Sequence, residues 1–162
     1  VCDRCGLPKP ARAHHCSICD ECHLRMDHHC PAVGNCVALH NHQAFVVMLI
    51  WSVISCLMLA LFCIICGMIV VDYTRMISFV IGVASLGLAI CLVFFLINQL
   101  VHIYKNVTTV EYLTEEAGNY NLGKDANVDQ LFGTDFFRFF IPHKNKLTGF
   151  EWELPTYRVA TA

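Results

Sequence analysis

Most of the cysteines and histidines of this 162-residue chain lie in its first 36 residues. The stretch contains seven cysteines and five histidines: Cys2, Cys5, Cys16, Cys19, Cys22, Cys30 and Cys36, with His14, His15, His23, His28 and His29. A closed structural zinc site takes four nitrogen or sulfur ligands, commonly from Cys-x2-Cys pairs. Two such sites use six cysteines and two histidines and leave one cysteine. Disulfides are the alternative, but the odd number and the interleaved histidines favour metal.

Spacing alone does not say which cysteine is left over, but Cys30 stands in a context suited to catalysis. A thiolate is the reactive form of cysteine, and a neighbouring base must generate it at neutral pH. His28 is placed to take the thiol proton, and Asp27 to orient the imidazole as the acid of a catalytic triad does. His29 suits a metal better, because a metal-bound imidazole cannot serve as a base. The alternative is that Cys30 is one more candidate ligand and His28 a solvated side chain.

Two apolar segments follow this cysteine-rich stretch. Residues 44–71 and 77–104 are each free of Asp, Glu, Lys and Arg over 28 positions. About 20 apolar residues span a bilayer as a helix, so we predict two transmembrane helices joined by a turn at residues 72–76. The expected fold is an α-helical membrane protein with three parts. Residues 1–43 form a zinc-stabilised domain of loops and short β-hairpins, residues 44–104 the helix hairpin, and residues 105–162 a short cytosolic region of helix and irregular structure.

Charge places both ends of the chain on the cytosolic side of the membrane. The segments outside the hairpin carry Arg4, Lys9, Arg12, Arg25 and Lys105, against Arg75 alone in the turn. Positive residues favour the cytosolic side, and zinc thiolates need a reducing compartment. Thr108 and Glu111 have capping-box spacing and predict a helix start. No pattern is evident from Lys144 onward, which is expected to be a tail.

The spaced residues as a group resemble a known family. Its pattern is carried by Cys2-x2-Cys5, Lys9-Pro10-x-Arg12-x2-His15-Cys16-x2-Cys19-x2-Cys22, Asp27-His28-His29-Cys30-Pro31, Asn35-Cys36 and Asn41-x3-Phe45. This is similar to the cysteine-rich domain of the DHHC protein S-acyltransferases. Thr108-Thr109-x-Glu111 resembles the family's TTxE motif, and the segment from Asn119 to Gly133 its C-terminal region. The chain departs from the family at Ala32, where Trp is usual, and at Ala38, where Gly is usual.

The resemblance implies a ligand set for each of two structural zinc ions. Cys2, Cys5, His15 and Cys22 would bind one ion, and Cys16, Cys19, His29 and Cys36 the other. Cys30 would remain as the nucleophile, with His28 as base and Asp27 orienting it. Lys9, Arg12 and His14 form a basic cluster, for which we weigh a role in binding coenzyme A phosphates against simple solvation of the surface.

The resemblance also implies a function and a location. The expected activity is transfer of a fatty acyl group, such as palmitoyl, from acyl-CoA to membrane-proximal cysteines of substrate proteins through an S-acyl-enzyme on Cys30. The expected location is an endomembrane, either ER/Golgi or plasma membrane. The alternative is a non-catalytic zinc adapter anchored in a membrane. A nucleic-acid binder is disfavoured, because phosphate binding needs a basic surface and the net charge is −2. Family members usually have two transmembrane helices before this domain, so we expect the sequence to be a fragment that starts at the cysteine-rich domain.

Overall fold

The chain divides into two compact units in a computed structural model that describes residues 1–115, 120–135, 137–144 and 146–153. One unit comprises Val1–Phe45 and Leu100–Ala162, and the other Val46–Gln99. Asn119 of the C-terminal pattern, and the expected tail from residue 154 onward, lie outside the described residues.

The cysteine-rich part of the first unit consists of two small antiparallel hairpins. Strand β1 (His14–Cys16) pairs with β2 (Glu21–His23), and β3 (His28–Cys30) pairs with β4 (Asn35–Val37). Three-residue strands bury little apolar surface: one core cluster consists of Cys16, Met26 and Cys36, with Val110 packed against it. Hairpins this short are marginal in water, so this part of the fold needs the stabilisation that its cysteine and histidine side chains gain by binding metal.

Two long helices follow the hairpins, as the apolar runs predict. Helix α1 spans His42–Ile69 and helix α2 spans Tyr73–Lys105. Both are long and apolar enough to cross a membrane, and in the most apolar window of each only 17% of residues are buried. In the second unit they approach closely at Gly82, where a Cβ would lie 3.1 Å from the Cβ of Cys63.

Helix α2 begins four residues earlier than predicted. The prediction placed a turn at residues 72–76 because Asp72 and Arg75 are charged. Charge does not break a helix, however, and the Arg75 amide donates to the Asp72 carbonyl as the first turn of α2 forms. An aspartate before a helix favours that start. The connection between α1 and α2 is therefore only residues 70–72.

The described residues after α2 belong to the first unit. Helix α3 (Thr109–Leu113) starts at the predicted capping box, which is confirmed: the Glu111 amide donates to Thr108 Oγ1, and the Thr108 amide donates to Glu111 Oε2. Helix α4 (Lys124–Phe132) and a 3-10 turn (Glu151–Glu153) follow. Phe132 and Trp152 are fully buried. The prediction of a tail from Lys144 onward is wrong at Trp152, because a single buried aromatic leaves no periodic pattern.

Candidate functional site

Among the described residues, cysteine and histidine side chains converge at two places. Cys2, Cys5, His15 and Cys22 form one group, and Cys16, Cys19, His29 and Cys36 the other. In each group the ligand atoms lie within 4.8 Å of one another. These are the two sets that the family resemblance implies, and Cys30 belongs to neither.

Both groups are built from the same local parts. A hairpin contributes one directly opposed pair, His15 with Cys22 in the first and His29 with Cys36 in the second. Side chains opposed across a ladder stand about 4.5–5.5 Å apart at Cβ. A Cys-x2-Cys turn completes each group. Because successive strand residues point to opposite faces, His15 and its neighbour Cys16 serve different groups.

The distances in the second group match a tetrahedral metal site. His29 Nδ1 lies 3.6 Å from Cys16 Sγ, 3.4 Å from Cys19 Sγ and 3.6 Å from Cys36 Sγ. Tetrahedral zinc with ordinary Zn–S and Zn–N bonds separates such atoms by about 3.5–3.8 Å.

The first group is less regular but has the same donors. His15 Nδ1 lies 3.1 Å from Cys5 Sγ and 4.0 Å from Cys22 Sγ, and the two sulfurs are 3.6 Å apart. Three thiols and one imidazole are a donor set typical of structural zinc. Both groups therefore fit a closed four-ligand metal site.

Strand β3 separates the candidate catalytic residues from the metal ligand between them. His28 and Cys30 are two residues apart and share one face of the strand, whereas His29 faces the second metal group. His28 Nδ1 lies 2.7 Å from Asp27 Oδ2, which leaves Nε2 as the nitrogen available on the Cys30 side. Three consecutive residues thus face alternately, and their roles divide accordingly.

Asp27 is completely buried and is held by the segment that begins α3. The Thr109 backbone amide donates to Oδ1 at 2.8 Å, and Thr109 Oγ1 donates to Oδ2 at 3.0 Å. The Val110 amide donates to the Asp27 carbonyl at 3.1 Å. Burial raises the pKa of the Asp27 carboxyl, but its hydrogen bond with His28 and the positive charges around it outweigh burial and hold the pKa well below its usual range.

The pKa values of His28 and Cys30 shift in opposite directions. Burial lowers the pKa of His28, but the hydrogen bond and charge of Asp27 outweigh burial and raise that pKa. Burial raises the pKa of the Cys30 thiol, but hydrogen bonding to His28 and to nearby backbone amides outweighs burial and lowers that pKa. The pKa shifts of His28 and Cys30 thus run in opposite directions, and each favours the charged form of its side chain.

The three residues of the predicted basic cluster have different environments in the structure. Lys9 is exposed and His14 is half-buried, and both line a polar cavity of about 180 Å³. Arg12 reaches the same cavity, but its side chain is buried in an ion pair with Glu111. Its Nε donates to Glu111 Oε1 at 2.6 Å, and its Nη2 to Glu111 Oε2 at 2.9 Å. Arg12 therefore links the cysteine-rich part to α3. The sequence placed Arg12 only in the basic cluster and did not predict this ion pair.

Asn106 joins distant segments of the first unit through its side chain, and the sequence did not predict this role. Its side-chain oxygen accepts from Arg12 Nη1 at 3.0 Å and from Arg25 Nη2 at 3.2 Å. Its amide nitrogen donates to the Tyr120 carbonyl and to Gln130 Oε1. In the sequence Asn106 is part of a glycosylation sequon, yet it is 1% exposed. Its pairing partners are up to 94 residues away, and no local pattern reports such contacts.

The first turn of α1 adjoins the candidate catalytic group. The His28 ring packs edge-on against Phe45 with 5.4 Å between centroids. Cys30 is buried, whereas Pro31, Ala32 and the turn that follows are exposed. Cys30 thus lies beside an exposed turn, and its strand neighbour His28 contacts the start of α1.

Comparisons with known proteins agree with this geometry. Residues 1–116 match the family model described as DHHC palmitoyltransferase. A relative from Arabidopsis thaliana, "Probable protein S-acyltransferase 13", is 35% identical over 153 residues, which cover 87% of this chain and 51% of the relative. "Palmitoyltransferase ZDHHC2" of Mus musculus is 56% identical over 59 residues, or 36% of this chain and 16% of that protein. The chain thus spans about half the length of the Arabidopsis relative and a smaller part of the mouse one.

Proposed function

The chain belongs to the DHHC palmitoyltransferase family, and from that premise we propose that it carries out protein S-acyl transfer with Cys30 as nucleophile. The observation that carries the proposal is the hydrogen-bonded chain of Thr109, Asp27 and His28, with His28 and Cys30 on one face of β3. Thr109 fixes the Asp27 carboxylate, which is 2.7 Å from His28 Nδ1. Burial raises the pKa of the Cys30 thiol, but the influence of His28 and of nearby backbone amides outweighs burial and lowers that pKa.

In the first step the Cys30 thiolate attacks the thioester carbonyl of a fatty acyl-CoA. A new carbon–sulfur bond forms at Cys30, and the bond from the acyl carbon to the coenzyme A sulfur breaks. Coenzyme A leaves as a thiolate and takes a proton from the His28 imidazolium. Asp27 stabilises that imidazolium and holds the ring by its hydrogen bond to Nδ1. The other ring nitrogen, Nε2, is then the one that exchanges a proton with the reacting sulfur.

In the second step a cysteine of a substrate protein takes the acyl group. His28, now neutral, accepts the proton of the incoming thiol. The resulting thiolate attacks the acyl carbon and expels Cys30, which returns as a thiolate beside a protonated His28. Atoms and charge balance without any other reactant.

The location of the group suits a fatty donor. His28 rests on Phe45, in the first turn of a helix long and apolar enough to cross a membrane. A nucleophile there can meet a thioester whose acyl chain is dissolved in the bilayer. Lys9 and His14 line the polar cavity and are the side chains we propose for the coenzyme A phosphates, since Lys binds phosphate as a point charge. Arg12 keeps no such role, because Glu111 and Asn106 occupy its donors.

The two Cys/His groups would each hold a structural zinc ion. Four protein ligands close each site, which leaves no open position for a substrate. The ions would stabilise the hairpins, so that β3 presents His28 and Cys30 on one face. We further propose that the protein lies in a membrane of the endomembrane system. The cysteine-rich domain (residues 1–43) and the region after residue 104 would both lie on the cytosolic side of that membrane.

Self-acylation of the intact protein tests the proposal. Purified protein is incubated with radiolabelled palmitoyl-CoA in lipid vesicles, and the label is treated with hydroxylamine, which cleaves thioesters. We expect a hydroxylamine-sensitive label that Cys30→Ser abolishes. The matched control is Cys91→Ser, which removes a cysteine in the middle of α2 and should keep the label. A label that survives in Cys30→Ser, or no label in the intact protein, would contradict the proposal.

A further inference from the structure

The turn after α4 carries an apolar surface that the proposed reaction does not use. Phe137, Phe140 and Ile141 are 59%, 48% and 59% exposed, and we call these three residues the turn surface. Phe139, between them, instead points inward and stacks on Phe132 with 4.7 Å between ring centroids. The alternation gives the turn one side that packs in the core of the first unit and one side that faces outward.

Gln43 attaches this turn to the first turn of α1. Gln43 Nε2 donates to the carbonyls of Arg138 at 2.7 Å and Ile141 at 3.1 Å, and its Oε1 accepts from the His143 amide at 3.1 Å. Gln43 is 2% exposed, so these three hydrogen bonds are shielded from water. Breaking them would leave buried polar groups unsatisfied.

The start of α1 lies at the depth of the lipid headgroups. Its 28 residues make a helix about 42 Å long, which matches the roughly 40–45 Å of a bilayer including its headgroup regions. His42 and Gln43 are polar, and the unbroken apolar run begins at Ala44. A turn hydrogen-bonded to Gln43 is therefore held at the membrane–water interface.

The residues around the turn surface fit that interface. Pro142, Lys144 and Lys146 follow the turn surface in the sequence and are exposed, and the exposed Asp135 precedes it, so two positive charges and one negative charge lie close to it along the chain. Aromatic side chains favour the headgroup level, and lysines beside an apolar surface add attraction to anionic lipids. The chemistry of the surface matches lipid better than water.

We propose that Phe137, Phe140 and Ile141 insert into the interfacial layer of the membrane and, through Gln43, fix the depth at which α1 enters it. Gln43 and Phe45 are two residues apart, so they point to nearly opposite sides of α1. The catalytic group therefore packs on one side of the helix entrance and the turn surface on the other. We call the turn surface and its hydrogen bonds to Gln43 the clamp. The clamp sets the height of Cys30 above the hydrocarbon layer of the membrane. The proposal rests on the membrane assignment of α1 and goes beyond acyl transfer.

Photo-crosslinking tests it without an activity readout. Phe140→p-benzoylphenylalanine replaces one aromatic residue by another that reacts with neighbouring C–H bonds under ultraviolet light. The intact protein is placed in vesicles of phosphatidylcholine and phosphatidylserine, irradiated and examined by mass spectrometry. We expect an adduct with the mass of one phospholipid. Phe94→p-benzoylphenylalanine, in the middle of α2, is the positive control for lipid reaction.

A matched negative control is Leu7→p-benzoylphenylalanine. Leu7 is 61% exposed but lies in the loop of the first Cys/His group, where we expect no lipid adduct. Metal content equal to that of the parent protein shows that each variant is folded. A cross-link from position 140 to a second copy or another protein would overturn the proposal. So would the absence of a lipid adduct at position 140 while position 94 gives one.

A second variant tests the tether. Gln43→Met keeps the length of the side chain but removes its hydrogen bonds, and it should lower the yield of lipid adduct at position 140 while the yield at position 94 stays unchanged. An unchanged yield at position 140 would overturn the clamp. Self-acylation measured on the same samples keeps the two proposals separate, because lipid adducts can form whether or not Cys30 transfers acyl groups.

Discussion

Thr109 donates two hydrogen bonds to the carboxylate of Asp27 from a position 82 residues further along the chain. One comes from its backbone amide and the other from its hydroxyl. The contact joins the start of α3 to the residue that orients His28. The position of α3 therefore bears directly on the candidate catalytic group.

Thr109→Val should slow self-acylation about ten- to hundredfold, because a hydrogen bond to a charged group contributes about 1.5–3 kcal/mol. The shape of the side chain is kept and only the hydroxyl is lost. Thr109→Ser, which restores the hydroxyl, should recover most of the rate. Both variants should bind as much metal as the parent protein. Equal rates for the Val and Ser variants would show that the hydroxyl does not position Asp27.

Cys30 and Cys36 should respond oppositely to substitution, although they are six residues apart and both buried. Cys30→Ser should keep two zinc ions per chain, measured by elemental analysis, and lose acylation. Cys36→Ala removes a ligand from the second group, so it should lose zinc and destabilise both strands of the β3–β4 hairpin. If Cys30→Ser released a zinc ion, Cys30 would be a ligand and the proposed nucleophile would be wrong.

His28 and His29 should separate in the same manner, because they face opposite sides of β3. His28→Ala should slow self-acylation by about 10²–10⁴-fold, the usual contribution of a positioned general base, with its zinc content unchanged. His29→Ala should lower the zinc content. Similar behaviour of the two variants in both measurements would contradict the division of roles.

Arg12 and Lys9 lie three residues apart but should contribute to different properties. Arg12→Met leaves the buried Glu111 carboxylate without its main partner, which typically costs about 3–5 kcal/mol, so thermal unfolding should shift to lower temperature. The double variant Arg12→Met with Glu111→Gln should be more stable than Arg12→Met alone, since no uncompensated charge remains. Lys9→Met, at an exposed position, should leave the unfolding temperature unchanged and raise the KM for acyl-CoA. An equal loss of stability in both single variants would contradict this assignment.

The sequence by itself determined the features that depend on short-range spacing and on composition. The Cys-x2-Cys pairs, the period of two in His28-His29-Cys30 and the capping box at Thr108 and Glu111 are local patterns whose geometry follows from strand and turn structure. The two apolar runs likewise indicated the two long helices, although the start of α2 was misjudged because charge was used as the boundary in place of helix-forming tendency.

The tertiary structure alone decided the contacts between distant segments. Arg12 pairs with Glu111 across 99 residues, Thr109 with Asp27 across 82, and Gln43 with the carbonyl of Ile141 across 98. The spacing of these residues in the sequence does not indicate that they pair with one another. They pair because the hairpins and the region after α2 fold into one unit, where buried donors and acceptors must find partners. No local pattern encodes which partner that is, since it depends on how the whole unit packs.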